Sequence, residues 1–589
     1  MLHRMMAVAF LAGATATLSA QSTAPSFEMY GLSSTSSAGT PEMVTGDFHN
    51  DGKLDVVYVG NGQSQTAITM LTGNGDGTFQ APQTVATPSS EATDLAAADI
   101  NGDGNLDLLA MVDGSVEVFY GNGNGTFQAG LVYATAAYGD TVTTGNFFND
   151  GYTDVAVGDE NGNVELFKNV DGKSLVLAST VTIGGGSAQF VTTVRAGNLD
   201  GNGESDLGVL TDPIYSTGSN VYAVWNEGNG TFTPAKLASY PLPYGLTVGS
   251  ANGSGIDDIV LSYNCEPGDT STVGKSPYAF CTGIDVFYGE GDQTLIQRTA
   301  VTDTDDLAGN PVWPIDVNGD GIIDLVSAGA HGQSDGYAGL MVWLGNANGT
   351  FQQTPQYYYS DTDGGGPLVP GDWARSGMMG FLMLGGNGAE VWINSGNRAA
   401  CGTYTVSPSV TACQPVDNTY SPSPVTVEAN SYDTTSVTQM QEYVDGTLKY
   451  SEPVTSFDTT FTTTLGTHLF VTKGWDASGR SFVADRTVTV FNGTPYPTCP
   501  AAVGTANICL PSGTSSSSPV HILANGATDV IPASAQLYID GDLVVSNTTG
   551  ATSYVDTTQD LSAGSHTLVF KMWDGSGNVY QATKTITVN

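Results

Sequence analysis

Short apolar runs broken by clusters of Gly, Asn and Asp recur along the first two thirds of the chain. One period shows the pattern. Leu95 to Ala98 is apolar, an acidic turn follows, and Leu106 to Met111 is apolar again. In Ser115 to Tyr120, the set Val116, Val118 and Tyr120 alternates with Ser115, Glu117 and Phe119. That two-residue period, blurred by Phe119, predicts a strand. Gln128 to Tyr133 follows a Gly-rich turn as the fourth run. No stretch sustains a 3.6-residue period, so the pattern predicts strands and little helix.

The unit repeats. Asp99 to Asp107 (DINGDGNLD) recurs at Asp47 to Asp55 and Asp316 to Asp324, with weaker copies starting at Asn146, Asn198, Ser250 and Asp372. The seven starts are 52, 47, 52, 52, 66 and 56 residues apart. A strand ending in a Gly/Asn turn, as in Phe119 to Phe127, keeps the same beat, with partners near Leu71, Phe167, Trp225, Phe287, Trp343 and Trp392. Four strands in each of seven periods predict a seven-bladed β-propeller over residues 26–397. A ring must be latched or its edge strands stay open. The last period lacks a clear fourth strand, so Phe27 to Gly31 is expected to supply it.

After about Asn397 the acidic turns stop. Val425 to Val490 and Val520 to Val588 align, with Tyr443-Val-Asp-Gly446 matching Tyr538-Ile-Asp-Gly541 and Trp475 to Gly479 matching Trp573 to Gly577. Two immunoglobulin-like β-sandwiches are expected, at 401–493 and 497–589. The fold class is therefore all-β.

Charge narrows the partners. The 58 Asp and Glu against 16 Lys and Arg give a formal net charge of −42, which repels nucleic acid and anionic lipid. Arg4, the apolar stretch Met5 to Ala14 and Leu18-Ser19-Ala20 read as a signal peptide over residues 1–20. Its apolar run is shorter than the ~20 residues a membrane span needs. A secreted or cell-surface protein is expected, and a monomeric one. Export permits oxidation, and the six cysteines fall in local couples. The expected disulfides are Cys265–Cys281, Cys401–Cys413 and Cys499–Cys509.

The acidic turns offer oxygen donors at positions 1, 3, 5 and 9, with Gly at position 6 for the sharp bend. Such a crowd of oxygens suits a hard cation, and Ca2+ is the expected cofactor. The candidate ligands are Asp99, Asn101, Asp103 and Asp107 in the second loop and Asp316, Asn318, Asp320 and Asp324 in the sixth. The first loop offers Asp47, Asp51 and Asp55, with His49 in place of an oxygen. An EF-hand is excluded, because position 12 is Tyr58, Ala110 or Ser327 rather than Glu, and the flanks are strands. Asn198, Asp200, Asn202 and Asp206 form a weaker candidate. The remaining three copies read as turns without metal.

These loops resemble the FG-GAP (VCBS-type) repeats of the integrin α-subunit propeller and its bacterial relatives. The C-terminal pair is similar to bacterial immunoglobulin-like repeats. The resemblance implies calcium on one face of the propeller and ligands on the other, with the C-terminal domains as spacers or adhesion modules.

Connectivity places the acidic loops and the Gly-Asn turns on one face, because strands alternate in direction. The opposite face carries the longest insertions. Its aromatics, Tyr215, Tyr240, Tyr244, Tyr278, Phe280 and Tyr337, with Tyr357 and Tyr358 in a link, are the expected ligand contacts. No nucleophile elbow, HExxH, P-loop or dinucleotide fingerprint occurs. The expectation is a non-enzymatic recognition or adhesion protein for an extracellular glycan or protein. A polysaccharide lyase or glycosidase on the same scaffold, and a structural matrix component, are the alternatives.

Overall fold

The computed structural model describes residues 27–588 apart from 34–41, 60–66, 185–188, 214–217, 229, 241–242, 265–281, 304–305, 332–336, 360–366, 386–387, 395–400, 492–498, 500, 502–503, 513, 517, 528–531 and 548–553. Every named element is a strand. No helix among the described residues is long and apolar enough to cross a membrane.

Seven four-stranded antiparallel sheets form the blades. The innermost strands are Met43–Gly46, Ala92–Ala98, Gly139–Gly145, Gln189–Gly197, Pro243–Gly249, Asp306–Ile315 and Leu368–Gly371. In six blades the four strands are consecutive in sequence. In the seventh, Phe27–Ser33 pairs antiparallel with Gly388–Asn394, placing Phe27 opposite Asn394 and Ser33 opposite Gly388. The expected latch is present and two residues longer than the sequence suggested. Phe27 is buried and stacks edge-on against Tyr358, with ring centroids 4.8 Å apart, so it ties blade six to blade seven.

The second period shows why its alternation is blurred. Its inner strands are Ala92–Ala98, Asp107–Val112 and Ser115–Phe119, followed by a short outer strand Leu131–Tyr133. Asp107 to Val112 is buried at every position. A blade is covered on both faces by its neighbours, so both sets of side chains must be apolar. Leu108 and Ala110 pack with Val57 and Ile68 of blade one. Leu109 and Met111 pack with Val142 and Val155 of blade three. Each fully buried Val, Leu or Met adds roughly 1.5–3 kcal/mol.

Two β-sandwiches follow. The first pairs a three-stranded sheet (Ser409–Gln414, Val425–Tyr432, Ser456–Phe461) with a five-stranded one (Thr419–Pro422, Ser481–Phe491, Gly466–Asp476, Val437–Val444, Thr447–Glu452). The second repeats the same order. One cross-strand pair is polar in the first core and apolar in the second. Glu442 faces Thr472 in the first, where Leu537 faces Phe570 in the second. Cys401–Cys413 and Cys499–Cys509 are bonded as expected. Cys265 and Cys281 lie outside the described residues.

The first sandwich sits on the acidic-loop face of the propeller. Gly402 N donates to Asp320 O and Thr405 N to Ala347 O, both at 2.7 Å. Tyr420 N donates to Asp372 Oδ2 at 3.0 Å. The Arg375 guanidinium lies 4.9 Å from the Phe491 ring centre. Its sequence suggested a spacer, and these contacts make it also a cap.

Candidate cation loops and the axial channel

The acidic loops fold as chains of side-chain-to-backbone turns. Asp99 accepts N–H bonds from Gly102, Asp103 and Gly104 at 2.7–3.1 Å. Asn101 accepts from Asp103, and Asp103 from Asn105, each at 2.9 Å. Gly104 at position 6 has φ of +85°, which disfavours any residue with a side chain. The sixth loop repeats the scheme, with Asp316 accepting from Gly319 and Gly321 and Asn318 from Asp320.

The ninth position has a duty that spacing alone did not reveal. Asp55, Asp107, Asp154, Asp206, Asp258 and Asp324 are 0–1% exposed. One carboxylate oxygen of each accepts the N–H of loop position 2. The other accepts an N–H from the third-to-fourth-strand turn, at Gly73, Gly121, Asn169, Asn226, Gly289 or Gly345. This Asp therefore joins two loops that share a face, as connectivity predicted. It is a keystone, and could ligate a cation only through its remaining lone pairs. Where the turn begins with Asn, its amide reaches the neighbouring blade. Asn169, Asn226 and Asn394 donate to the carbonyls of Ile100, Phe147 and Val317 at 2.6–3.0 Å.

The loops differ in fitness for a cation. Among the described residues no three carboxylate, imidazole or thiolate groups converge as a preformed cluster. Loops two and six contain three carboxylates, an Asn oxygen and no basic residue. In loop six Asp316, Asn318, Asp320 and Asp324 are all buried beneath the first sandwich. Burial, with the Asp320 charge adding to it, pushes Asp316 up to about 7. Three carboxylates and an amide oxygen are the hard donors that calcium takes, and a cation held there would offset the burial. Loop one fits less well. Lys53 Nζ lies 2.7 Å from Asp51, and His49 Nδ1 lies 2.8 Å from Asp55, so the loop carries its own partners. Loop three likewise pairs Lys168 with Asp150 at 3.0 Å. In loop four Asn198 and Asp200 make the same turns, while burial pushes Asp206 up to about 7.

A cavity of about 1250 Å³ runs along the propeller axis. All seven innermost strands wall it, and Val416 to Asn418, Tyr420, Asp485 to Thr487 and Thr489 of the first sandwich line its acidic-loop end. Glu42, Asp94, Thr141 and Arg195 stand together on the side formed by blades one to four. Asp94 Oδ2 accepts from Thr141 Oγ1 at 2.9 Å and Val142 N at 2.8 Å. Arg195 Nη1 lies 3.9 Å from that oxygen. Burial pushes Glu42 up to about 7, with Asp94 adding to the shift and Arg195 opposing it.

The expected ligand aromatics divide. Tyr244 lines the channel and is 37% exposed. Tyr240 is a correction. It ends the outer strand Phe232–Tyr240, is 6% exposed, and donates its hydroxyl to Asp285 Oδ2 at 2.6 Å. Tyr358 packs on Phe27, and Tyr357 against the core between blades five and six. Tyr215, Tyr278 and Phe280 lie outside the described residues, as does the side chain of Tyr337.

A family model of the FG-GAP-like repeat matches residues 47–110, 99–157 and 316–383. The chain thus carries FG-GAP-like repeats on a β-propeller. No curated protein matches it. Among solved structures, the Dos1 propeller is 12% identical over 64% of this chain and 97% of its own, with a TM-score of 0.37. An Agrocybe aegerita lectin, described as recognising non-reducing terminal N-acetylglucosamine, is 16% identical over 53% and 78%, with a TM-score of 0.35. Fibronectin(III)-like modules of Clostridium thermocellum CbhA are 16% identical over 31% and 94%, with a TM-score of 0.17. Likeness at this level carries no argument about ligands.

Proposed function

We propose that this is an exported, calcium-stabilised binding protein whose propeller recognises an extracellular glycan or protein. One observation supports the reading above others. The first sandwich occupies the acidic-loop face through Gly402, Thr405 and Tyr420, which leaves the opposite face and the channel for a partner. Calcium, when bound, supplies positive charge to loops two and six, held by Asp99, Asn101 and Asp103 and by Asp316, Asn318 and Asp320. Asp107 and Asp324 would contribute through lone pairs not already given to backbone N–H groups. The second sandwich then acts as spacer or tether. The local disulfides fit an oxidising compartment.

The runner-up, a carbohydrate-active enzyme, draws on the Glu42 carboxyl pushed up to about 7 in the channel, a value suited to a general acid. A glycan array of the full chain with and without calcium, plus an assay for reducing or unsaturated sugar ends, separates the two. Retained ligand without new ends supports binding. New ends overturn it.

A further inference from the structure

The channel has two unlike sides. Blades one to four contribute Glu42, Asp94, Thr141 and Arg195, while blades five and six contribute Tyr244 and Trp313. Arg195 gives one bond to its own neighbour, from Nη1 to Val194 O at 2.9 Å, and its side chain is 37% exposed. The guanidinium has five N–H groups, so donors remain to face the channel. Glu42 makes no hydrogen bond with its carboxyl to any described residue. On the other side, Trp313 spends its indole N–H on Leu368 O at 2.8 Å and so presents an apolar ring to the wall.

Charge selects the ligand. Both signs stand at one level, with Arg195 Nη1 3.9 Å from Asp94 Oδ2. An acidic sugar would meet Glu42 and Asp94, with Asp140, Asp257, Asp417 and Asp485 elsewhere in the lining, and an amine at this level would meet Arg195. A neutral polyol would find acceptors and donors together and bury no charge of its own. A ring with hydroxyls on its rim and C–H groups on its faces matches a polar side opposed to an aromatic one.

We propose that the axial channel is a binding site for a neutral sugar ring, held by Glu42, Asp94 and Arg195 on one side and by Tyr244 and Trp313 on the other. The proposal rests on the recognition reading above and narrows it to a place and a ligand class. The test is calorimetry on the full chain in calcium, with cello-, manno- and xylo-oligosaccharides against oligogalacturonates. Arg195→Met and the isosteric Glu42→Gln are compared with the unaltered protein, and melting curves check that both stay folded. The expected result is binding of a neutral series, weakened at least tenfold in both variants, with no binding of the galacturonates. Neutral binding unchanged in folded variants, or preference for galacturonates, overturns the channel site while leaving recognition intact. Absence of binding to every sugar also overturns it, and a protein ligand captured by the outer face would then keep the broader reading.

Discussion

The phenol oxygen of Tyr404, in the first sandwich, accepts the N–H of Ile323, in the sixth acidic loop, at 2.8 Å. Tyr404 is 1% exposed, while Ile323 is half-buried at the channel wall. Beside it, a Cβ on Gly321 would lie 2.7 Å from Cys413 Sγ. Cap and loop are fitted to each other at backbone distance.

Tyr404→Phe removes the acceptor and leaves the half-buried Ile323 N–H without it. The expected cost is about 1–3 kcal/mol. Denaturant unfolding of the full chain reads it, and an unchanged midpoint would show that the cap is held elsewhere.

If calcium binds the folded loops as proposed, and not the unfolded chain, chelation lowers the melting temperature. At 100-fold above its dissociation constant each site adds about 2.7 kcal/mol. Asp103→Ala and Asp320→Ala should each remove part of the calcium-dependent shift. Asp51→Ala should remove little, since Lys53 already sits on that carboxylate. Equal losses from all three would mean that Lys53 yields to the ion.

Asp107→Ala separates keystone from ligand. It strips partners from Ile100 N and Gly121 N in the core. The expected loss is roughly 2–5 kcal/mol, and it should persist in chelator. A loss that vanishes in chelator would make Asp107 a ligand before anything else.

Glu442 gives a pH dependence away from the loops. It is fully buried, with Oε2 taking the Thr472 hydroxyl at 2.6 Å and Oε1 without a partner. Burial pushes its carboxyl from 4.5 up to about 7. The folded state keeps a proton that the unfolded chain releases between those values, so this group's contribution falls as pH rises from 4.5 to 7. Glu442→Leu, the residue at the matching position of the second sandwich, should therefore stabilise at pH 8, by on the order of 2–3 kcal/mol, and do little at pH 5. Melting curves at the two pH values check it, and equal shifts at both would reject the titration.

Much of the ring was legible because its signals are local. The Asp-x-Asn-x-Asp-Gly order at Asp99 dictates successive turns whatever surrounds it, and seven copies fix seven blades. The role of Asp107 was not legible, because spacing does not say which way a carboxylate turns, and Gly121 lies fourteen residues on. Tyr240 misled for a similar reason. An aromatic near a link looks exposed until Asp285, from the next blade, is folded onto it. The cap could not be read at all, since Gly402, Thr405 and Tyr420 bond through backbone N–H groups that every sequence offers.

The closing strand sets an order of events. Phe27–Ser33 leaves the ribosome first among the blade strands, yet its partner Gly388–Asn394 is the last of the propeller to be made. More than three hundred and fifty residues separate the paired positions Phe27 and Asn394. Six blades can assemble one after another as they appear, but the ring stays an open arc with exposed edges until that final pairing. A chain cut anywhere between these two strands therefore loses closure for every blade at once, however complete each blade is on its own.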